Sequence, residues 1–183
     1  MVTIVGIAGS LRRHSYNAGL LRAAAEAAPE GSRIEIASIA DVPLYNGDVE
    51  EKDGIPASVA AIKDAIAGAD GLLLVTPEYN NSIPGVFKNA IDWASRPPTD
   101  AGRVFRGKKV GLIGASPGNW GTILSQNAWL PVLHTLGAEL WTGGRLMIPG
   151  AGKVFDGEGN LVDEATRERV AKFVAGFVAT LGM

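Results

Sequence analysis

Five short apolar runs recur along this chain of 183 residues, and a helix-like stretch separates each from the next. They cover residues 2–8, 33–37, 71–76, 110–115 and about 139–148, and several are almost wholly apolar, the signature of strands covered on both faces. Helical patterns occupy 15–28, 58–67, 84–94 and 122–136. A last helix over 163–181 places Val170, Phe173, Val174, Phe177, Val178 and Leu181 on one stripe, with Asp163 as its cap. Pro131 is expected to kink or split the fourth helix. This alternation predicts an α/β protein: a five-stranded parallel sheet wrapped by helices on both faces, in a single domain over 1–183.

Composition narrows the function classes. Hydrophobic residues make up 46% and charged residues 20%, an ordinary balance for a soluble globular protein. A net charge of −2 gives no basic face and argues against a nucleic-acid partner. No apolar run approaches the ~18 residues a membrane span requires. The strand-like segment begins at Val2 with no basic or apolar leader ahead of it, so the expectation is a cytoplasmic protein with no membrane partner. Cysteine is absent, which removes disulfides, thiol redox chemistry and thiolate metal sites. The only histidines, His14 and His134, lie far apart in the chain, so no metal site is expected. Any electron transfer then falls to an organic cofactor.

Three segments at strand ends carry chemistry. The first, residues 9–17, reads Gly-Ser-Leu-Arg-Arg-His-Ser-Tyr-Asn and leads from the first strand into the first helix. First-turn N–H groups of a helix lack backbone partners and sit at the positive end of its dipole. Ser10 and Ser15 add hydroxyls, Asn17 an amide and Arg12 a charged fork suited to phosphate oxygens, so the implied guest is a phosphate group. An ordinary surface arginine is the alternative for Arg12.

The second segment, residues 76–84, reads Thr-Pro-Glu-Tyr-Asn-Asn-Ser-Ile-Pro and ends the third strand. Doubly wound sheets bind ligands outside the carboxyl ends of their strands. Pro77 fixes the chain direction, Pro84 suits the first turn of the next helix, and Tyr79 offers an aromatic face. A tight polar turn made only for helix entry is the alternative. In the third segment, residues 115–121, Ser116 can donate a hydroxyl while Gly118 and Gly121 allow close backbone approach. Trp120 either covers a planar ligand or caps the core. Together the three loops suit a long flat cofactor with a phosphate at one end.

Two loops, 39–56 and 149–162, are longer than a compact domain needs; the second is either a solvated excursion or a contact segment. Asp156, Glu158 and Asn160 do not make a calcium loop, because Leu161 stands where such a loop requires glycine.

Gly-Ser-Leu-Arg-x-x-Ser-x-Asn after the first strand, and Thr-Pro-Glu-Tyr-Asn-x-Ser-x-Pro-Gly followed by Lys88-Asn89-Ala90-Ile91-Asp92-Trp93, resemble the NAD(P)H-dependent FMN reductases. Within that family the chain is most similar to the soluble bacterial quinone, chromate and ferric-chelate reductases, and the resemblance runs over nearly its whole length. It implies a flavodoxin-like fold with strand order 2-1-3-4-5, bound FMN, and NADH or NADPH as cosubstrate. By the same resemblance, Ser10, Arg12, Ser15, Tyr16 and Asn17 hold the FMN phosphate and ribityl chain. Pro77, Glu78, Tyr79 and Asn80 border the isoalloxazine ring, and Ser116 with Gly118 lines its other edge. A homodimer or homotetramer with flavin near the interface is implied too, which would give loop 39–56 a neighbour. Two departures stand out: His14, where the family often has a small residue, and Thr122, in place of a second glycine after Gly121.

The chemistry implied is ping-pong hydride transfer from the nicotinamide to flavin N5, then onward to quinones, free flavins, azo compounds, chromate or ferric complexes. No side chain is expected as an obligatory nucleophile or base, and backbone N–H groups near N1 would stabilise the reduced anionic ring. Lys88 and Asp92 read as a helix-surface pair, Trp93 and Trp129 as core or interface anchors. Arg12, Arg13 and Arg96 are candidate contacts for a 2′-phosphate. A flavodoxin-type one-electron shuttle shares the fold, but such shuttles usually have a far more acidic surface and no arginine in the phosphate loop. A dinucleotide-only dehydrogenase lacks its Gly-x-Gly-x-x-Gly after the first strand, and a receiver module lacks its acidic cluster.

Overall fold

The computed structural model describes residues 1–182. Its strands are β1 (Val2–Ala8), β2 (Ser32–Ala37), β3 (Gly71–Val75), β4 (Lys109–Ala115), β5 (Glu139–Leu140) and β6 (Leu146–Ile148). All pair in parallel, in the order β2-β1-β3-β4-β5, with β6 also beside β4. This is the expected flavodoxin-like order, with helices on both faces of the sheet.

The expected fifth strand over 139–148 is two short segments instead. Between them 141–145 leaves the ladder, opposite only Gly111 and Leu112 of β4. The departure carries the Trp141 ring onto the core, where it meets Phe173 edge-to-face at 5.0 Å and Phe177 at a tilt at 5.6 Å.

The pleat sends successive side chains to opposite faces, so a sheet covered on both sides needs both sets apolar. Ile4, Leu73, Val75 and Ile113 pack under α1 (Tyr16–Glu26) and α7 (Glu164–Ala179). Val5, Ile7, Leu72, Leu74, Val110 and Leu112 pack under α3 (Ala57–Gly68), α4 (Gly85–Ala94) and α6 (Ile123–Leu136). Trp93 and Trp129 are fully buried core residues. The stripe on α7 sinks Val170, Phe173, Val174 and Phe177 into the core, with Val178 and Leu181 at its margin. Asp163 caps that helix, accepting from the Thr166 N–H at 2.8 Å and hydroxyl at 2.6 Å.

Two local expectations are corrected, and one open alternative is decided. The α6 helix is not split at Pro131, which is exposed, as is Asn127, the residue whose carbonyl the ring leaves without a donor. Loop 39–56 contains a helix, α2 (Gly47–Asp53), which buries no residue and is set by its ends. Asn46 accepts the Asp48 N–H at 2.9 Å, and Gly54 stops the helix at φ 79°. A further short helix, α5 (Ala101–Phe105), precedes β4. The 149–162 loop is not a solvated excursion: Ala151, Phe155 and Leu161 are buried in the core beneath α1 and α7. Asp156 folds the tip of this loop, accepting N–H bonds from Glu158 at 2.9 Å and Asn160 at 2.8 Å.

Because β1 lies between β2 and β3, the chain changes direction across the sheet there. The loops leaving β1 and β3 diverge and open a crevice at the carboxyl ends of the strands.

Candidate functional site

A half-open cavity of about 160 Å³ fills that crevice. From the β1 loop come Ser10, Arg12, Ser15, Tyr16 and Asn17; from the β3 loop, Pro77, Glu78 and Tyr79; from the end of β4, Ala115, Ser116 and Pro117. Nine of the eleven residues expected at the site thus converge. Asn80 and Gly118 do not line the cavity.

The β1 loop is shaped around its free donors. Ser15 is the N-cap of α1 and accepts the Ala18 N–H at 3.3 Å, which leaves the first-turn N–H groups of Tyr16 and Asn17 outside the helical ladder. Ser10 Oγ accepts the Arg12 N–H and the Tyr79 hydroxyl, each at 3.3 Å, so one serine ties the first loop to the second. Arg12 reaches back to the His14 carbonyl at 3.2 Å and stands 5.5 Å from the Tyr16 ring centroid. Its remaining guanidinium donors are uncommitted among the described residues. Asn17 is buried and clasps the end of β4, donating to the Ala115 carbonyl at 2.8 Å and accepting the Ala115 N–H at 2.9 Å. It fixes the helix against the sheet and retains one amide hydrogen.

The β3 loop is both turn and wall. Asn80 and Asn81 adopt φ 49° and 62°, and Tyr79 and Ser82 exchange backbone bonds of 3.2 and 3.0 Å around them. Asparagine tolerates this left-handed pair, which is the two-residue turn of a tight hairpin. Asn80 is therefore at the apex, facing outward. Glu78 has a task the sequence concealed: its Oε2 accepts the N–H groups of Leu124 at 2.8 Å and Ser125 at 3.0 Å. Thr122, which enters α6, gives no side-chain cap, so Glu78 supplies one from another loop. Behind it Thr76 Oγ1 meets Ser125 Oγ at 2.8 Å and accepts the Trp129 N–H at 3.1 Å, seating α6 on β3.

In the third loop, Ser116 spends its hydroxyl on the Gly121 carbonyl at 2.6 Å, so it is not the free donor the sequence suggested. Gly121, at φ 63° and with Met147 Cβ 3.0 Å from any added Cβ, must lack a side chain; Gly118 has room for one. Trp120 is 81% exposed, which rules out its reading as a core cap. Tyr79, which lines the cavity, is half-exposed and offers an aromatic surface there. Of the basic residues considered for a 2′-phosphate, Arg96 is committed to Glu50 at 2.8 Å and holds that carboxyl below its ordinary range. Lys88 and Asp92 pair at 2.6 Å, as the spacing predicts.

The loop 149–162 braces the site from outside. His14 Nδ1 donates to the Glu158 carbonyl at 3.3 Å, Arg22 donates to Asn160 Oδ1 at 2.8 Å, and Phe155 packs 5.2 Å from the Tyr16 ring. Beyond the loop's length, no local pattern points to this buttress.

Comparison with known proteins extends these findings. Residues 2–153 match the family described as NADPH-dependent FMN reductase. An NAD(P)H-dependent FMN reductase of Pseudomonas aeruginosa is 43% identical over 169 residues, covering 92% of this chain and 89% of the relative. A 2-hydroxy-1,4-benzoquinone reductase of a Burkholderia species is 40% identical over 176 residues, covering 96% and 94%. Among solved structures, a flavoenzyme NAD(P)H:(acceptor) oxidoreductase from Paracoccus denitrificans superposes with a TM-score of 0.86 at 34% identity, covering 100% of this chain and 98% of that one. Sequence match and structural superposition thus coincide over most of the chain, which belongs to the NADPH-dependent FMN reductase family.

Proposed function

We propose that this chain is an FMN-dependent oxidoreductase, acting as one flavin-binding domain, that takes hydride from NADH or NADPH and passes it to quinones. Chromate, ferric chelates, azo compounds and free flavin are further acceptors of the same redox type. The supporting observation is the β1 loop: two free first-turn amides, the Ser10 and Ser15 hydroxyls and the guanidinium donors that Arg12 does not spend on the His14 carbonyl converge on one cavity. That donor set fits a phosphate dianion, and the one carboxylate on the wall, Glu78, is turned to helix amides. The cavity holds about 160 Å³, room for a phosphate and the chain attached to it, so a tricyclic ring would rest at its open side.

Bound there, FMN would supply the two-electron chemistry that the twenty side-chain types lack. Ser10, Arg12, Ser15, Tyr16 and Asn17 would hold its phosphate end, and the β3 loop with Tyr79 would border the ring. Backbone N–H groups of these loops need no reorganisation to stabilise negative charge on the ring edge. Nicotinamide and acceptor would occupy the open side of the cavity in turn, and the order would then be ping-pong. Exposed Leu44, Tyr45 and Val49 on loop 39–56 support a homodimer or homotetramer.

Initial rates of NADH and NADPH oxidation by the FMN-loaded protein, with a benzoquinone varied against the nicotinamide, test the reading. Parallel double-reciprocal lines are expected. Converging lines would refute the shared mouth, and an absence of turnover with either nicotinamide would refute the activity.

A further inference from the structure

Where 141–145 leaves the sheet, a second cavity of about 220 Å³ opens between α6 and the β5–β6 excursion. It shares no residue with the crevice at the β1 and β3 loops. Leu112, Leu130, Leu140 and Trp141 make its apolar walls. Gln126 also lines it, is only 5% exposed, and has its amide half used. Its Nε2 donates to Thr122 Oγ1 and to the Leu146 carbonyl, each at 3.1 Å. A carbonyl can only accept, so this bond fixes which end of the amide is nitrogen. Gln126 Oε1 receives no donor, yet no buried side-chain oxygen among the described residues is sealed off without a partner. The oxygen therefore opens onto the cavity and is one hydrogen bond short. At the rim, Arg145 is exposed and makes no ion pair or hydrogen bond among the described residues.

An apolar slot with an acceptor at its inner end and a free cation at its mouth defines a ligand class. We propose that this cavity binds a single-ring aromatic acid carrying a hydroxyl or amine donor opposite its carboxylate. The donor meets Gln126 Oε1, the ring lies among the leucines and Trp141, and the carboxylate pairs with Arg145. A cavity of about 150 Å³ is enough for benzene, so this one takes a ring with a polar group at each end. The site does not depend on the flavin reading.

Calorimetric titration of the FMN-loaded protein with 4-hydroxybenzoate tests this, with benzoate and 4-hydroxybenzyl alcohol as probes lacking the donor and the charge. One saturable site is expected, and each truncated probe binds about tenfold more weakly or worse. Arg145→Gln erases the preference for 4-hydroxybenzoate over the alcohol while NADH oxidation is unchanged, and Leu130→Trp, filling the rim, removes the heat. Flavin-free protein gives the same titration, so a failure of the flavin reading leaves this result standing. Absent heat, equal affinity for the three probes, or loss of binding in Arg12→Ala in place of Arg145→Gln would overturn the proposal.

Discussion

Glu78 shows how a side chain's place in a loop can be legible while its hydrogen bonds are not. Its motif put it beside the ring, and it does line the cavity, but its charge faces the first N–H groups of α6. A cap of this kind contributes roughly 1–2 kcal/mol. Glu78→Ala should therefore lower the urea-unfolding free energy by about that much, and unchanged stability would show the cap to be idle. Asp163 makes a second case. Hydrogen bonds from the Thr166 hydroxyl and N–H hold its carboxyl below the usual range. A depressed carboxyl stabilises the fold fully above its unfolded value, about 4, and the contribution fades as pH falls through the folded value. The stability gap between the protein and Asp163→Asn should be constant near neutrality and close below about pH 4, as thermal melts across pH will show. A gap that widens on acidification would contradict the assignment.

Among the elements, the junction between α1 and the 149–162 loop bears most on the site. A Cβ at Gly19 would overlap the Gly159 carbonyl oxygen, so helix and loop touch with nothing between them. Gly19→Ala should push α1 off its buttress, destabilise the fold by about 1–3 kcal/mol in urea titrations and weaken flavin retention with it; wild-type values in both would show that the contact is slack. The same region marks how far the sequence was legible. Strands buried on both faces announce themselves as apolar runs, and an anion-ready loop as hydroxyls and arginine before a helix; hence the strands and nine residues of one cavity were within reach, while the strand order came with the family resemblance. Contacts made across the chain were not. Glu78 reaches α6 over 46 positions, His14 reaches Glu158 over 144, and no local pattern encodes either. Short α2 was written in its capping residues, Asn46 and Gly54, but it lacks the apolar periodicity by which helices are usually found.

At the scale of the whole molecule, no helix among the described residues is long and apolar enough to cross a membrane, and of the exposed apolar side chains one group gathers on the loop that carries α2. Leu44, 82% exposed, stands beside Tyr45, which is braced against Trp93 at 4.9 Å and hydrogen-bonded to Glu50 at 2.9 Å. An exposed leucine on so firmly held a loop suits contact with a second copy. Sedimentation should show a dimer or tetramer that Leu44→Asp shifts toward monomer; a monomeric parent protein would remove this role.

The account rests on the β1 loop gripping a phosphate, and comparing FMN with riboflavin isolates that grip, since the two differ only there. Fluorescence titration of flavin-free protein should give FMN an affinity at least about a hundredfold above riboflavin, the worth of two charge-assisted hydrogen bonds. Arg12→Ala should remove much of that difference while leaving riboflavin binding as it was. Equal affinity for the two flavins in the unaltered protein would contradict the account.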